Sequence, residues 1–351
     1  MTPKKIVVVQ LPGTGRRGDV AKRYALELEA LSSLAEIEEV VAENEEVFIK
    51  GAREAEALMP TWGMRISRNI ISQLDKCLVI GLGSVGVDTV DVEAATGKGI
   101  VVTNVPDVFT EEVADHALML ILAAARRVKE QDLMVSQGQW FKGRPSLSRI
   151  PRLWGQTLGL ISFGNVARAV ARRAKPFGFQ VIANDPYVSE LKMTAEGVEP
   201  VSLKELLERS DYISMHPPLN EETYHMISTE AFKVMKNTAV IVNTGRGPTI
   251  DEAALIQALQ EGRIAAAALD VLETEPPAPD NPLLKMSNVI ITPHVASAST
   301  RMLPETRRRV GREIALVLRG RWPRSCVNPT VLPRVPLERW QPYPMERGPN
   351  R

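Results

Sequence analysis

The chain has 351 residues, 44% hydrophobic and 24% charged, with 43 lysines and arginines against 42 aspartates and glutamates for a net charge of +1. This mix excludes bulk disorder and collagen-like repeats, and the charge balance excludes long-range attraction to nucleic acid or an anionic membrane. At roughly 100–200 residues per domain, the length implies about two domains, each large enough to bury a core.

The apolar run at residues 6–9 predicts a first strand. Ala, Leu and Glu at helical spacing predict a helix over 20–34, then a strand over 37–41 and a helix over 43–59. Strands are expected at 78–80 and 100–102, and a long helix at 111–138. A second cycle begins near 156, with strands at 158–161, 180–184, 212–214, 239–243, 266–270 and 288–292 and a helix at 166–177. A helix over 300–320 leads out of it. Strands alternating with helices mean βαβ units and parallel sheets, an α/β fold. No run of 18 apolar residues occurs and no apolar leader opens the chain, so a soluble, cytoplasmic protein is expected. Cys77 and Cys326 stand alone, without CxxC or histidine neighbours, so neither disulfides nor a metal are expected.

Residues 157–167 sit at a strand-to-helix turn and place Ser162, Gly164 and Ala167 at the three positions of a G-x-G-x-x-G/A fingerprint. Gly164 lets backbone approach a pyrophosphate, Ala167 lets helix pack on strand, and the helix N-terminus supplies N–H donors. Ser162 departs from the tight-turn glycine. Asp185 ends the next strand about 20 residues on, where its carboxylate can accept ribose hydroxyls and repel a 2′-phosphate. That favours NAD over NADP.

In open α/β sheets ligands bind beyond the carboxyl ends of strands. Arg246, Glu275 and His294 each come just after a late strand. The trio suits hydride transfer to a 2-keto acid. A protonated imidazole gives a proton to the carbonyl oxygen, a carboxylate orients the imidazole, and a guanidinium clamps the substrate carboxylate. His216 also comes after a strand but has no carboxylate nearby in sequence, and reads as a wall of the cofactor site. His116 and His225 read as structural.

Residues 83–91 (GSVGVDTVD), 103–106 (TNVP), 113–117 (VADHA), 243–247 (NTGRG), 269–271 (LDV) with 275–276 (EP), and 292–294 (TPH) fall in an order that resembles the D-isomer-specific 2-hydroxyacid dehydrogenase family. The resemblance runs to about residue 330. It implies catalytic roles for Arg246, Glu275 and His294. It implies cofactor contacts at Ser162, Phe163, Gly164, Asn165, Val166, Asp185, His216, Pro217, Thr223, Thr244, Gly245, Arg246, Asp270 and His294. Ser84, Val85 and Gly86, with Arg246 and His294, would hold the substrate. The implied fold is a flavodoxin-like substrate domain at 1–110 and 298–335, interrupted by an NAD-binding Rossmann domain at 111–297. A homodimer completes it, and the Pro- and Arg-rich composition after residue 320 predicts a short return segment and a poorly ordered tail at 336–351. Leu82 replaces an arginine common in the family, and Ser84 a glycine, so the keto acid stays open among glyoxylate, hydroxypyruvate and the phosphoglycerate pair. The string from 171 to 187 is similar to the C-terminal-binding-protein branch, whose members are NADH-responsive corepressors. The segment after His294 lacks that branch's tryptophan, and an intact trio suits an enzyme better than a scaffold.

Overall fold

The computed structural model describes residues 3–11, 19–31, 33–61, 64–142 and 150–340. Residues Met1–Val108 and Ser299–Arg351 form one compact unit and Phe109–Ala298 another.

The first unit holds β1 (Lys4–Gln10), β2 (Ala35–Val41), β3 (Ala57–Pro60), β4 (Val79–Gly81) and β5 (Val101–Thr103). They pair in parallel in the order β2-β1-β3-β4-β5, the flavodoxin-like arrangement. Ile6 to Val9 are all buried because a parallel sheet is covered on both faces, so a central strand reads as an unbroken apolar run. Two predicted helices fail here. The 20–34 segment splits into Val20–Arg23 and Ala25–Leu31, and Tyr24 between them turns its hydroxyl onto Glu39 at 2.5 Å. The 43–59 segment is helical only over Glu45–Ala52 and then becomes β3. Ala, Leu and Met favour helix locally, but β3 fills the slot between β1 and β4, where both neighbours offer ladder partners.

The helix Met302–Leu318 returns to this unit, with Arg307 donating two bonds to the Glu27 carboxylate at 2.7 and 2.8 Å. Beyond it, Asn328 accepts the Val102 N–H at 2.9 Å and donates to Ile100 O and Thr96 Oγ1, each at 3.0 Å, along the outer strand β5. Arg334 spreads its guanidinium over the carbonyls of Leu74, Asp75, Cys77 and Lys98. The Glu338 backbone is still paired with Gly320 and Trp322. The rest of the expected disordered tail, 341–351, lies outside the described residues.

The second unit holds β6 (Thr157–Ile161), β7 (Gln180–Asn184), β8 (Glu199–Pro200), β9 (Tyr212–Met215), β10 (Val240–Asn243), β11 (Ala266–Leu269) and β12 (Val289–Ile291). Their parallel order is β12-β11-β10-β9-β6-β7-β8, the doubly wound Rossmann pattern. Alternate side chains feed two cores. Ile161, Ile213, Ile241 and Leu269 face one layer of helices, and Leu160, Tyr212, Val242 and Ala268 face the other. The long helix expected at 111–138 is two, Thr110–Ala125 and Val128–Ser136, broken at Arg127 with φ 53°. The order reverses between β6 and β9, so the carboxyl ends of these strands frame the crevice where a ligand belongs.

Candidate active site

At the end of β6, Ser162 takes φ 71°, the left-handed conformation for which the fingerprint uses glycine. Its hydroxyl donates to Asp185 Oδ2 at 3.2 Å, and the Phe163 N–H reaches the same oxygen at 2.8 Å. The Tyr187 N–H donates to Oδ1 at 2.8 Å. Phe163 is completely buried and its N–H is given to Asp185, so the structure does not present this expected cofactor contact to a ligand. Gly164 caps the helix Asn165–Ala174 without a side-chain bond, and a Cβ there would meet no atom within 4 Å. Open space over an uncapped helix N-terminus fits a pyrophosphate. Asn165 is exposed and Val166 half-buried beside it.

After β9, His216 pairs through Nε2 with Ser214 Oγ at 2.9 Å. Burial pulls its pKa down to about 4, so at neutral pH the ring is uncharged. Pro217 is buried next to it. Thr223 closes its own turn, donating to Pro218 O at 2.6 Å and accepting the Asn220 N–H at 2.9 Å. After β10, the Thr244 hydroxyl is buried and has no hydrogen-bond partner in the structure. A buried orphan costs about 1–3 kcal/mol, so a ligand that reaches it gains a partner already in place.

Asn243 clamps the adjoining loop by accepting the Gly245 N–H and donating to Arg246 O, both at 2.9 Å. At Gly247 a Cβ would fall 1.8 Å from Leu272 O, so only glycine lets these two backbones cross. The crossing brings Arg246 beside Glu275. The Glu275 carboxylate binds His294 Nδ1 at 2.7 Å through Oε2 and the Leu272 N–H at 3.0 Å through Oε1. Burial works to raise the Glu275 pKa. The bonds from His294 and Leu272, with the His294 and Arg246 charges, outweigh burial and lower it. A carboxylate on Nδ1 puts a proton on that nitrogen and leaves Nε2 as the ring's outward atom. Each side chain of the pair is about one-third exposed, 31% for His294 and 32% for Glu275, open enough to meet a small molecule.

The three residues chosen from the ends of β10, β11 and β12 thus meet in one unit. Asp270, placed among the cofactor contacts, turns its buried carboxylate onto Val295 N–H and Ala296 N–H. His225 forms a second histidine–carboxylate pair, with Glu273 at 2.8 Å, and stacks on Tyr224. Sequence reasoning missed it, although Glu273 stands two residues before Glu275 on the same loop. In the other unit, Ser84 donates its hydroxyl to Gly86 O at 2.7 Å, and Val85 O accepts from Asn104 at 2.7 Å. Leu82 is buried behind that loop. Among the described residues no cluster of three or more His, Cys, Asp or Glu could hold a metal.

Residues 118–296 match the family model for the D-isomer specific 2-hydroxyacid dehydrogenase NAD-binding domain. The chain is 43% identical to a glyoxylate reductase of Korarchaeum cryptofilum over 82% of its own length and 87% of that protein. It is 40% identical to a D-3-phosphoglycerate dehydrogenase of Methanocaldococcus jannaschii over 90% of this chain, but spans only 60% of that longer relative. A crystal structure of D-lactate dehydrogenase from Aquifex aeolicus, complexed with NAD and lactic acid, superposes with a TM-score of 0.77 at 29% identity, covering 90% of this chain and 96% of that one. The chain belongs to the D-isomer-specific 2-hydroxyacid dehydrogenase family, NAD-dependent oxidoreductases that act on the CH–OH group of their donors.

Proposed function

We propose that this protein reduces glyoxylate or hydroxypyruvate with NADH to the corresponding 2-hydroxy acid. The reading is carried by the 2.7 Å His294–Glu275 pair beside the Arg246 charge. His294 Nε2 gives the proton to the substrate's carbonyl oxygen as hydride arrives and takes it back in oxidation. Glu275 holds the imidazole by its Nδ1 and so turns Nε2 to the substrate. Arg246 pairs with the substrate carboxylate and polarises the carbonyl. NAD, when bound, supplies the hydride.

Gly164, Asn165 and Val166 would hold the pyrophosphate of NAD, Asp185 its adenosine ribose, and His216, Pro217, Thr244 and Asp270 its nicotinamide half. Ser162, Thr223 and Gly245 shape the backbone around it. The 109–298 unit is the NAD-binding domain, and the other unit, with Ser84, Val85 and Gly86, receives the substrate carboxylate. A buried, uncharged Leu82 behind that loop favours a small keto acid over a phosphorylated one. Kinship with a glyoxylate reductase over 87% of its length points the same way. The phosphoglycerate reaction is the second reading, supported by 40% identity to that dehydrogenase. We further infer a homodimer through the exposed Val128, Leu133, Val135, Trp140 and Phe141. Two free cysteines suit the reducing cytoplasm, and no helix among the described residues is long and apolar enough to cross a membrane.

NADH oxidation measured against glyoxylate, hydroxypyruvate, pyruvate and phosphohydroxypyruvate tests this. Glyoxylate and hydroxypyruvate should show the highest kcat/KM. Preference for the phosphorylated acid would install the second reading, and no turnover on any acid would end both.

A further inference from the structure

His116 lies on the helix Thr110–Ala125, away from the residues assigned to chemistry, and its ring meets the loop after β12. Its Nε2 stands 2.9 Å from Thr292 Oγ1 and 3.5 Å from Asp270 Oδ1. Thr292 Oγ1 lies 2.5 Å from the same Asp270 oxygen. A carboxylate can only accept, so the single hydroxyl proton of Thr292 goes to Asp270. The threonine oxygen must then accept from His116, which fixes a proton on Nε2. The chain of donors runs one way: His116 to Thr292 to Asp270.

Asp270 spends its remaining capacity on the same loop. Its Oδ1 accepts the Val295 N–H at 2.9 Å, its Oδ2 the Ala296 N–H at 2.8 Å, and its backbone carbonyl the His294 N–H at 2.8 Å. The backbone is therefore tied on both sides of His294, which sits at φ 51°. A histidine keeps that left-handed conformation only where the surroundings enforce it. The Asp270 side chain is 1% exposed and that of His116 17%, so little water competes with the network.

We propose that His116 is a positioning residue. Through Thr292 and Asp270 it holds residues 292–296 in the one conformation that presents His294 to Glu275. The proposal rests on the acid/base role given to His294 above, and its test has an arm free of that role. A misplacement of about 1 Å at a reacting group can cost on the order of 10²-fold in rate.

His116→Ala should lower kcat between ten- and a hundredfold while the NADH dissociation constant, read by fluorescence, moves less than twofold. His116→Gln, whose amide can still donate to Thr292, should recover most of the loss. His116→Ala combined with Thr292→Val should be no worse than either alone, because both cut one chain. Independently of turnover, amide hydrogen exchange at residues 294–296 should quicken in His116→Ala and return to normal in His116→Gln. Unchanged exchange, full kcat in His116→Ala, or additive losses in the double variant would each overturn the proposal. A wild-type protein inactive on every keto acid would refute the catalytic reading alone, and the exchange measurement would then decide the positioning role.

Discussion

His294 and Glu275 come after different strands, and a carboxylate-to-imidazole bond of 2.7 Å joins them. If the pair works as one acid, its two members fail differently. His294→Ala should cost about 10²–10⁴ in turnover with NADH affinity retained, since the proton donor is gone and the cofactor crevice is not. Glu275→Gln keeps a hydrogen-bonding group but removes the carboxylate that accepts from the ring at 2.7 Å. Turnover should fall about 10–100-fold, as when other carboxylates that orient an imidazole are removed, and unchanged turnover would dissociate Glu275 from the chemistry. Ser162 poses a different question. Its backbone is held where a non-glycine residue is strained by about 1–2 kcal/mol, and its hydroxyl occupies the Asp185 carboxylate proposed above for the ribose. Ser162→Gly frees that acceptor. One hydrogen bond is worth about 1 kcal/mol, so the NADH dissociation constant should fall about fivefold in a fluorescence titration; weaker binding would show that the serine helps the cofactor instead.

Among the elements, six of the seven strands of the second unit were legible because each is a short apolar run; β8 (Glu199–Pro200), two residues long and polar at its start, was not. The placement of Arg246, Glu275 and His294 was legible with them, since all three lie just beyond the carboxyl ends of three such runs. β3 was not, because its residues favour helix in isolation and become a strand only between β1 and β4. Nor was the break at Arg127, where neither proline nor glycine marks the turn. The partners of His116 and His225 were equally hidden, because Thr292 and Glu273 are far along the chain. Gly247 shows how a loop can be as constrained as a strand. Gly247→Ala must push apart the segments carrying Arg246 and Leu272. A loss of about 1–3 kcal/mol in urea unfolding is expected, with turnover reduced on the order of 10²-fold. Wild-type behaviour in both assays would mean the crossing is looser than its geometry.

For the whole molecule, acid is the vulnerable side. His216 titrates near pH 4 when folded and near about 6.5 when unfolded. Between those values the unfolded chain binds more protons, so stability is intact above about 6.5 and declines as pH drops toward 4. Glu275 acts in the same direction: its lowered pKa adds stability above the unfolded carboxyl value, which is lost as pH falls through the folded one. Urea midpoints measured from pH 7 to pH 4.5 should fall, and His216→Asn should flatten the slope. An identical slope in that variant would place the acid sensitivity elsewhere.

The Asn328 and Arg334 stitches bear on how the polypeptide is made. At the outer edge, the Val102 N–H and the Ile100 carbonyl are paired with Asn328, more than 220 positions later. On the ribosome, the intervening Phe109–Ala298 segment emerges complete and can condense by itself, while residues Met1–Val108 wait with an unfinished margin. Synthesis order and assembly order therefore run opposite to each other in this chain: the part translated first is sealed last.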